Sequence, residues 1–213
     1  MTTAPGSATE VVRPGLRGFT LADLSQFTHD RAPIPADADH WLFYVGSDDV
    51  HGVLLYLYSA LSVSMVGNMF GYDDEALNAA IWQACLDPSI FVRETLDHSQ
   101  AGGVHEKKIL ASDIAANPQA FSSHFAIIES ATAQISHTKG GILDGVAGYE
   151  GSTNWSTSGE GSFVVQGQAG GPGYKAQNNT LMVFTDQPTL VRFRAELDAE
   201  FHSAKVYAPA AAA

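Results

Sequence analysis

His137, Lys139 and Asn154 are the residues of this chain whose types and spacing could do chemistry together. They belong to the pattern H-x-K-x4-D-x6-G-S-x-N, whose other fixed positions are Asp144, Gly151 and Ser152. An imidazole with a near-neutral pKa can attack phosphorus, and a second imidazole can protonate the leaving oxygen. Lysine and asparagine donors can stabilise the charge that builds on the phosphoryl oxygens. Such a set cleaves a phosphodiester without a metal ion. A lone histidine would say little. The constrained positions in one spacing, closed by a Gly-Ser turn, say considerably more.

These side chains must be brought together by short strands and turns. A strand over Ala133 to His137 would put His137 near Lys139 on one face, because residues two apart in a strand share a side. Gly140-Gly141 reads as a tight turn, with returning strands at Gly141 to Leu143 and Val146 to Tyr149. That return brings Asp144 close. Gly151-Ser152 offers a second turn whose backbone N–H groups and hydroxyl can face the phosphate, and it projects Asn154 toward the first pair.

The flanking chain alternates strand and helix. Leu61 to Phe70, Ile90 to Leu96, Phe125 to Ile128 and Leu181 to Thr185 read as strands. A helix over about 74–86 opens on Asp73-Asp74-Glu75 and stops at Asp87-Pro88. Ser99 to Gly103 reads as a loop and Val104 to Ala115 as a helix. Pro188 begins an amphipathic helix to about Ala204, with Leu190, Val191, Phe193, Leu197 and Phe201 on or near one face. This alternation predicts an α/β fold, a mixed β-sheet flanked by helices on both faces. The Gly/Ser-rich stretch Thr157 to Gln177 reads as a protruding rim of the site. No second copy of the motif is present.

Composition bounds the rest. A chain of 213 residues with 45% hydrophobic content suits one domain with a sizeable core. The expected organisation is a flexible N-terminus over 1–18, an extension of unassigned role over 19–47, the catalytic domain over 48–207, and a disordered tail over 208–213. No apolar run is long enough to span a membrane. Residues 1–14 lack the pattern of a secretory signal, which leads to the expectation of a cytoplasmic protein. Cys85 is the single cysteine and reads as a buried apolar residue. The formal charge of −12 opposes non-specific attraction to nucleic acid or anionic membrane. Lys107-Lys108 and Arg192/Arg194 are the candidates for a local basic groove. His105 to Ile109 fails the metalloprotease pattern, and no other cluster has metal-ligand spacing, so neither metal nor cofactor is expected.

The motif, with Trp155 and Ser156 after it, resembles that of the phospholipase D superfamily. The resemblance runs in order over roughly 48–205, through Leu96 to Gly103 and Leu181 to Phe201. It implies a phospholipase D-like α/β sandwich with one motif per chain. Small members of that kind pair as two-fold dimers with the active site on the axis. His137 of one subunit would then form a phosphohistidine, and the second His137 would act as acid and then base. Lys139 and Asn154 of both subunits would grip the phosphate. The family usually places a carboxylate before the late strand to hydrogen-bond the histidine. Here that stretch is Gln177-Asn178-Asn179-Thr180, so Asn178 is assigned the place, with Glu160 as substitute if its loop folds back. Asp144 is assigned a shaping role.

Three functions follow as expectations. The first is a metal-independent phosphodiesterase on nucleic acid, by analogy with the small dimeric endonucleases of the family. The second is cleavage or head-group exchange on a phospholipid or small phosphodiester. The third, prompted by the missing carboxylate, is a weakly active phosphate-binding protein.

Overall fold

The computed structural model describes residues 13–101, 104–128, 135–162, 171–203 and 205–206. Its centre is an eight-stranded mixed sheet. The strands are β1 (His40–Tyr44), β2 (Ser64–Met69), β3 (Phe91–Asp97), β4 (Phe125–Ile128), β5 (Lys139–Leu143), β6 (Ala147–Gly151), β7 (Thr180–Phe184) and β8 (Lys205–Val206). They lie in the order β1-β7-β6-β5-β2-β3-β4-β8. β2, β3 and β4 run parallel, and the remaining neighbours are antiparallel.

The helices are α1 (Val50–Ala60), α2 (Glu75–Cys85), α3 (His98–Ala101), α4 (Val104–Ala116), α5 (Pro118–His124), α6 (Thr157–Glu160) and α7 (Gln187–Ser203). α1 forms because its apolar residues recur at helical spacing. Val50, Val53, Leu54, Leu57 and Tyr58 are all buried, and the Asp49 carboxylate caps the first turn by accepting from Gly52 N. Asp74 caps α2 in the same way, through Leu77 N. The strand period of two sorts residues between layers. Met65 joins α1 and α2 in the large core, while its neighbour Val66 joins Ile142, Phe184, Leu190 and Leu197 under α7. Helices therefore cover both faces, as the alternation predicts.

Four expectations change. β1 is an edge strand paired with β7, so the sheet domain begins before residue 48 and absorbs the 19–47 extension. The stretch to residue 18 is packed where it is described: Leu16 is buried, and the Arg13 guanidinium donates to the carbonyls of Tyr58 and Leu61. Residues 98–101 form α3 where a loop was expected from Ser99, because Asp97 accepts from both Ser99 N and Ser99 Oγ and starts the turn. Gly140-Gly141 is no turn but the middle of β5, paired on both sides. A Cβ at Gly140 would stand 2.6 Å from the Phe193 ring, so the glycine admits α7 to the sheet. The turn lies instead over Asp144 to Val146, with positive φ at Asp144 and Gly145 and Val146 N donating to Leu143 O. The tail over 208–213 lies outside the described residues.

Asp144 does more than turn the chain. Its carboxylate accepts from Ser62 N, Ser62 Oγ, Val63 N, Ser64 N and Leu16 N, at 2.7–3.4 Å. It thereby ties the start of β2 and the N-terminal segment to the β5–β6 hairpin. Asp144→Ala should lower unfolding free energy by about 3 kcal/mol in urea titration, since amide donors lose a charged acceptor and a positive-φ residue loses its tolerance for that conformation. A loss under about 0.5 kcal/mol would refute this role.

The core also holds acids. Glu94 is buried on β3, and burial pushes its pKa well above the carboxylate range. Burial likewise raises Glu106 to about 7 and Asp113 to about 6. A raised pKa means the folded state holds protons that the unfolded chain releases. That stabilisation is complete below the unfolded carboxylate range and is lost as pH climbs through the raised values. Melting temperature should therefore fall from pH 5 to pH 8. Glu94→Gln should melt above the wild type at pH 8, with the difference shrinking toward pH 4. A flat or rising profile would contradict the assignment.

Candidate active site

The end of β2 builds the site. Phe70 and Gly71 follow that strand, and the motif residues gather on them. The Phe70 ring lies 4.4 Å from the His137 ring, centroid to centroid, and 4.8 Å from Lys139 Nζ. Phe70 N donates to Thr138 O, which fixes the backbone between His137 and Lys139. Across the gap, Trp155 N donates to Gly71 O and Asp73 N to Trp155 O. Asn154 is thereby drawn against Gly71 so closely that a Cβ there would stand 2.9 Å from the Asn154 Cβ and Cγ. Only glycine leaves Asn154 this seat.

His137 is exposed and precedes β5, so it stands at the sheet's end and not within a strand. Ala133 and Gln134 of the expected strand Ala133 to His137 lie outside the described residues, and Ile135, Ser136 and His137 are not in a strand. The chain beside His137 is nevertheless held firmly. Ser136 N donates to Asp97, its hydroxyl donates to Glu200 at 2.9 Å and accepts from Asn68 at 2.7 Å. Lys139 is buried beneath, and its Nζ donates to His137 O at 2.7 Å. Burial lowers the Lys139 pKa, and the nearby Glu150 carboxylate partly opposes that.

On the other strand, Gly151, Ser152 and Thr153 zip against β7. Ser152 N and Thr153 Oγ1 both donate to Thr180 O, and Thr180 N donates to Ser152 Oγ. Asn154 Oδ1 is buried with no hydrogen-bond partner among the described residues. The structure therefore brings together His137, Lys139 and Asn154, with Gly151 and Ser152 as their support. Asp144 lies at the opposite end of β5 and takes no part.

The two groups assigned to back the histidine are elsewhere. Asn178 is exposed and forms no hydrogen bond among the described residues. Its neighbour Asn179 is the one that faces inward, accepting from Ser152 Oγ at 3.2 Å and donating to Gly159 O. Glu160 does fold back, but onto His51 of α1, to whose ring it is hydrogen-bonded. Among the described residues the His137 ring makes its contact with Phe70 and no hydrogen bond. Sequence reasoning passed over Phe70, Gly71, Asp97 and Glu200, because none has a chemical signature. The -Phe-Gly- ending of a predicted strand was the only available signal.

Three of the four candidates for a basic groove lie beside carboxylates. Arg194 is paired with Asp198 at 2.9 Å, and exposed Lys108 lies 3.7 Å from Glu75. Arg192 lines an open cleft of about 780 Å³ beside Thr138, but Glu150 and Glu196 line it too. Sequence spacing gave no metal-ligand cluster either, yet His51, Asp74 and Glu160 converge from three distant segments.

No protein-family model and no curated protein sequence matches the chain. Solved structures do. The chain superposes on Nuc, a phospholipase D family member of Salmonella typhimurium, with a TM-score of 0.58 over 79% of this chain and 97% of that one, at 14% identity. NucT of Helicobacter pylori matches with a TM-score of 0.58 over 79% of this chain and 98% of that one, also at 14% identity. The chain has the phospholipase D fold. The phosphatidylserine synthase of Haemophilus influenzae shares the fold as well, with a TM-score of 0.59 at 9% identity. That alignment covers 84% of this chain but only 40% of the synthase. The phospholipase D fold thus appears here at nearly the full length of Nuc and NucT. At these identities the likeness speaks for fold alone.

Gly71→Ala should push Asn154 off its seat. The expected result is a shifted Asn154 side-chain amide signal in two-dimensional NMR, with unfolding free energy lowered by about 1–3 kcal/mol from overpacking. An unmoved amide signal would show that the close approach at Gly71 does not position Asn154.

Proposed function

We propose that the chain is a phosphodiesterase, a hydrolase or transferase that works through a phosphohistidine on His137 and needs no metal for that step. One observation carries this reading: His137, Lys139 and Asn154 converge on Phe70-Gly71. The His137 ring nitrogen attacks phosphorus, a P–N bond forms, and the P–O bond to the leaving group breaks. The leaving oxygen takes a proton from a second imidazole. That imidazole then removes a proton from water, or from an acceptor alcohol, whose oxygen attacks phosphorus as the P–N bond breaks. Lys139 and the Asn154 amide NH2 stabilise the phosphoryl oxygens through both steps.

In this reading the second imidazole comes from another subunit, since this sequence carries the motif once. The functional unit in this reading is a two-fold dimer, with His137 paired to the partner's His137. The near-complete coverage of Nuc and NucT is consistent with a single compact subunit of this fold. Nucleic acid is the first substrate class to test, by analogy with small family members. A specific observation favours phospholipid or another small phosphodiester as the second reading: Arg192 shares its cleft with Glu150 and Glu196, and such a surface does not reward a polyanion.

A chromogenic phosphodiester, assayed in EDTA well below the melting temperature, tests the reaction class. His137→Ala should lower turnover by about 10⁴-fold or more, and Lys139→Ala or Asn154→Ala by about 10²–10³-fold. Mass spectrometry should trap a phosphoryl group on His137. Sedimentation should show a dimer at assay concentration. Turnover that survives His137→Ala would sink the mechanism, and a fully active monomer would sink the shared site. Plasmid DNA and a panel of phospholipids then separate the two substrate classes.

A further inference from the structure

The cluster of His51, Asp74 and Glu160 lies apart from the motif residues. His51 stands in the first turn of α1, Asp74 is the N-cap of α2, and Glu160 ends α6, the short helix that follows Asn154. A donor atom from each lies within 4.8 Å of the others. His51 Nδ1 is hydrogen-bonded to Glu160 Oε2 and stands 3.6 Å from Asp74 Oδ2. Ligand atoms about 2.0–2.2 Å from a tetrahedral zinc ion are separated by roughly 3.3–3.6 Å, so small side-chain shifts bring the three to coordination distance.

Two further observations point to a cation. Glu160 is fully buried, and its second oxygen, Oε1, has no hydrogen-bond partner among the described residues. A fully buried carboxylate oxygen without a donor is costly, and a metal ion is one way to satisfy it. The charge around the pair is also one-sided. The charges acting on His51 are the carboxylates of Glu160, Asp74 and Asp49, and those acting on Glu160 are Asp74 and His51 itself. Among the described residues, no lysine or arginine is among the main charges on either group.

We propose that His51, Asp74 and Glu160 form a structural site for a divalent first-row transition metal, with an imidazole and two carboxylates as protein ligands. That donor set suits zinc or manganese better than calcium, which takes six to eight oxygens. The site would clip α6 to the starts of α1 and α2. Asn154 lies between the clip and β6: Ser156 N donates to Asn154 O, and the Ser156 hydroxyl caps α6 through Gly159 N. The metal would thus fix the chain that delivers Asn154 without touching substrate. This holds whether or not the chain cleaves phosphodiesters.

Calorimetric titration of the chelator-treated full chain with ZnCl₂ and MnCl₂, beside CaCl₂, tests it. Zinc should bind at one site per chain, release protons, and raise the melting temperature by roughly 5–10 °C at about 100-fold excess over Kd. Glu160→Gln, close in shape to the native residue, and Asp74→Asn should each weaken zinc binding at least tenfold. Removing the exposed His29 and His40 together should leave it unchanged. Zinc binding retained in both Glu160→Gln and Asp74→Asn, or lost with His29 and His40, would overturn the proposal. So would tighter binding of calcium than of zinc, or an unmoved melting temperature in saturating zinc.

Discussion

The missing side chain at Gly71 is the constraint on which the site rests. Three stretches of chain arrive at the end of β2: the residues before β5, the turn after β6, and the entry to α2. Phe70 N, Gly71 O and Asp73 N each bond one of the arriving backbones. Backbone groups packed this tightly leave no room for a Cβ beside Asn154. The ring of Phe70 fills the other side and separates an exposed imidazole from a buried ammonium. The relative placement of His137, Lys139 and Asn154 is thereby set by backbone hydrogen bonds at the end of β2.

Burial works in two senses around that edge. Below the motif, Lys139 is buried, and its ammonium meets the His137 carbonyl and the Phe70 ring, with the Glu150 carboxylate nearby. Such an ammonium is poorly solvated and gains more from an arriving phosphate than an exposed one would. Deeper in, Glu94 lies among Tyr58, Tyr72 and Tyr149, whose hydroxyl pKa values are themselves raised by burial. The Tyr58 and Tyr149 hydroxyls bond each other at 2.6 Å and cross-link α1 to β6. Burial thus favours the protonated forms of these groups in the core beneath the site.

Much of this was legible from residue types. The strand-helix alternation gave the sandwich, because apolar periodicity reports burial directly. The H-x-K and G-S-x-N spacing led to three side chains that meet. Elements were misplaced where two local signals competed. Gly140-Gly141 looked more like a turn than Asp144-Gly145, yet those glycines are there to admit Phe193 and Tyr149, and packing of that kind leaves no local trace. β1 was passed over because an edge strand has meaning only through its partner β7. Asn178 and Asn179 could not be told apart without knowing which faced Ser152. The His51–Glu160 pair spans 109 positions, beyond the reach of any spacing argument.

The Asp144 carboxylate also sets an order of events during synthesis. Its donors lie up to 128 positions earlier in the chain, at Leu16, and 82 earlier, at Ser62. β2 sits between β3 and β5, so the growing chain can assemble the parallel β2–β3–β4 half before β5 exists. The other edge of β2 then stays open, and Ser62, Val63 and Ser64 wait with unmet amides until residue 144 leaves the ribosome. β1 waits longer still, for β7. The chain's midline is completed by its second half, and the first half must stay soluble in the interval, a task to which an excess of acidic side chains is well suited.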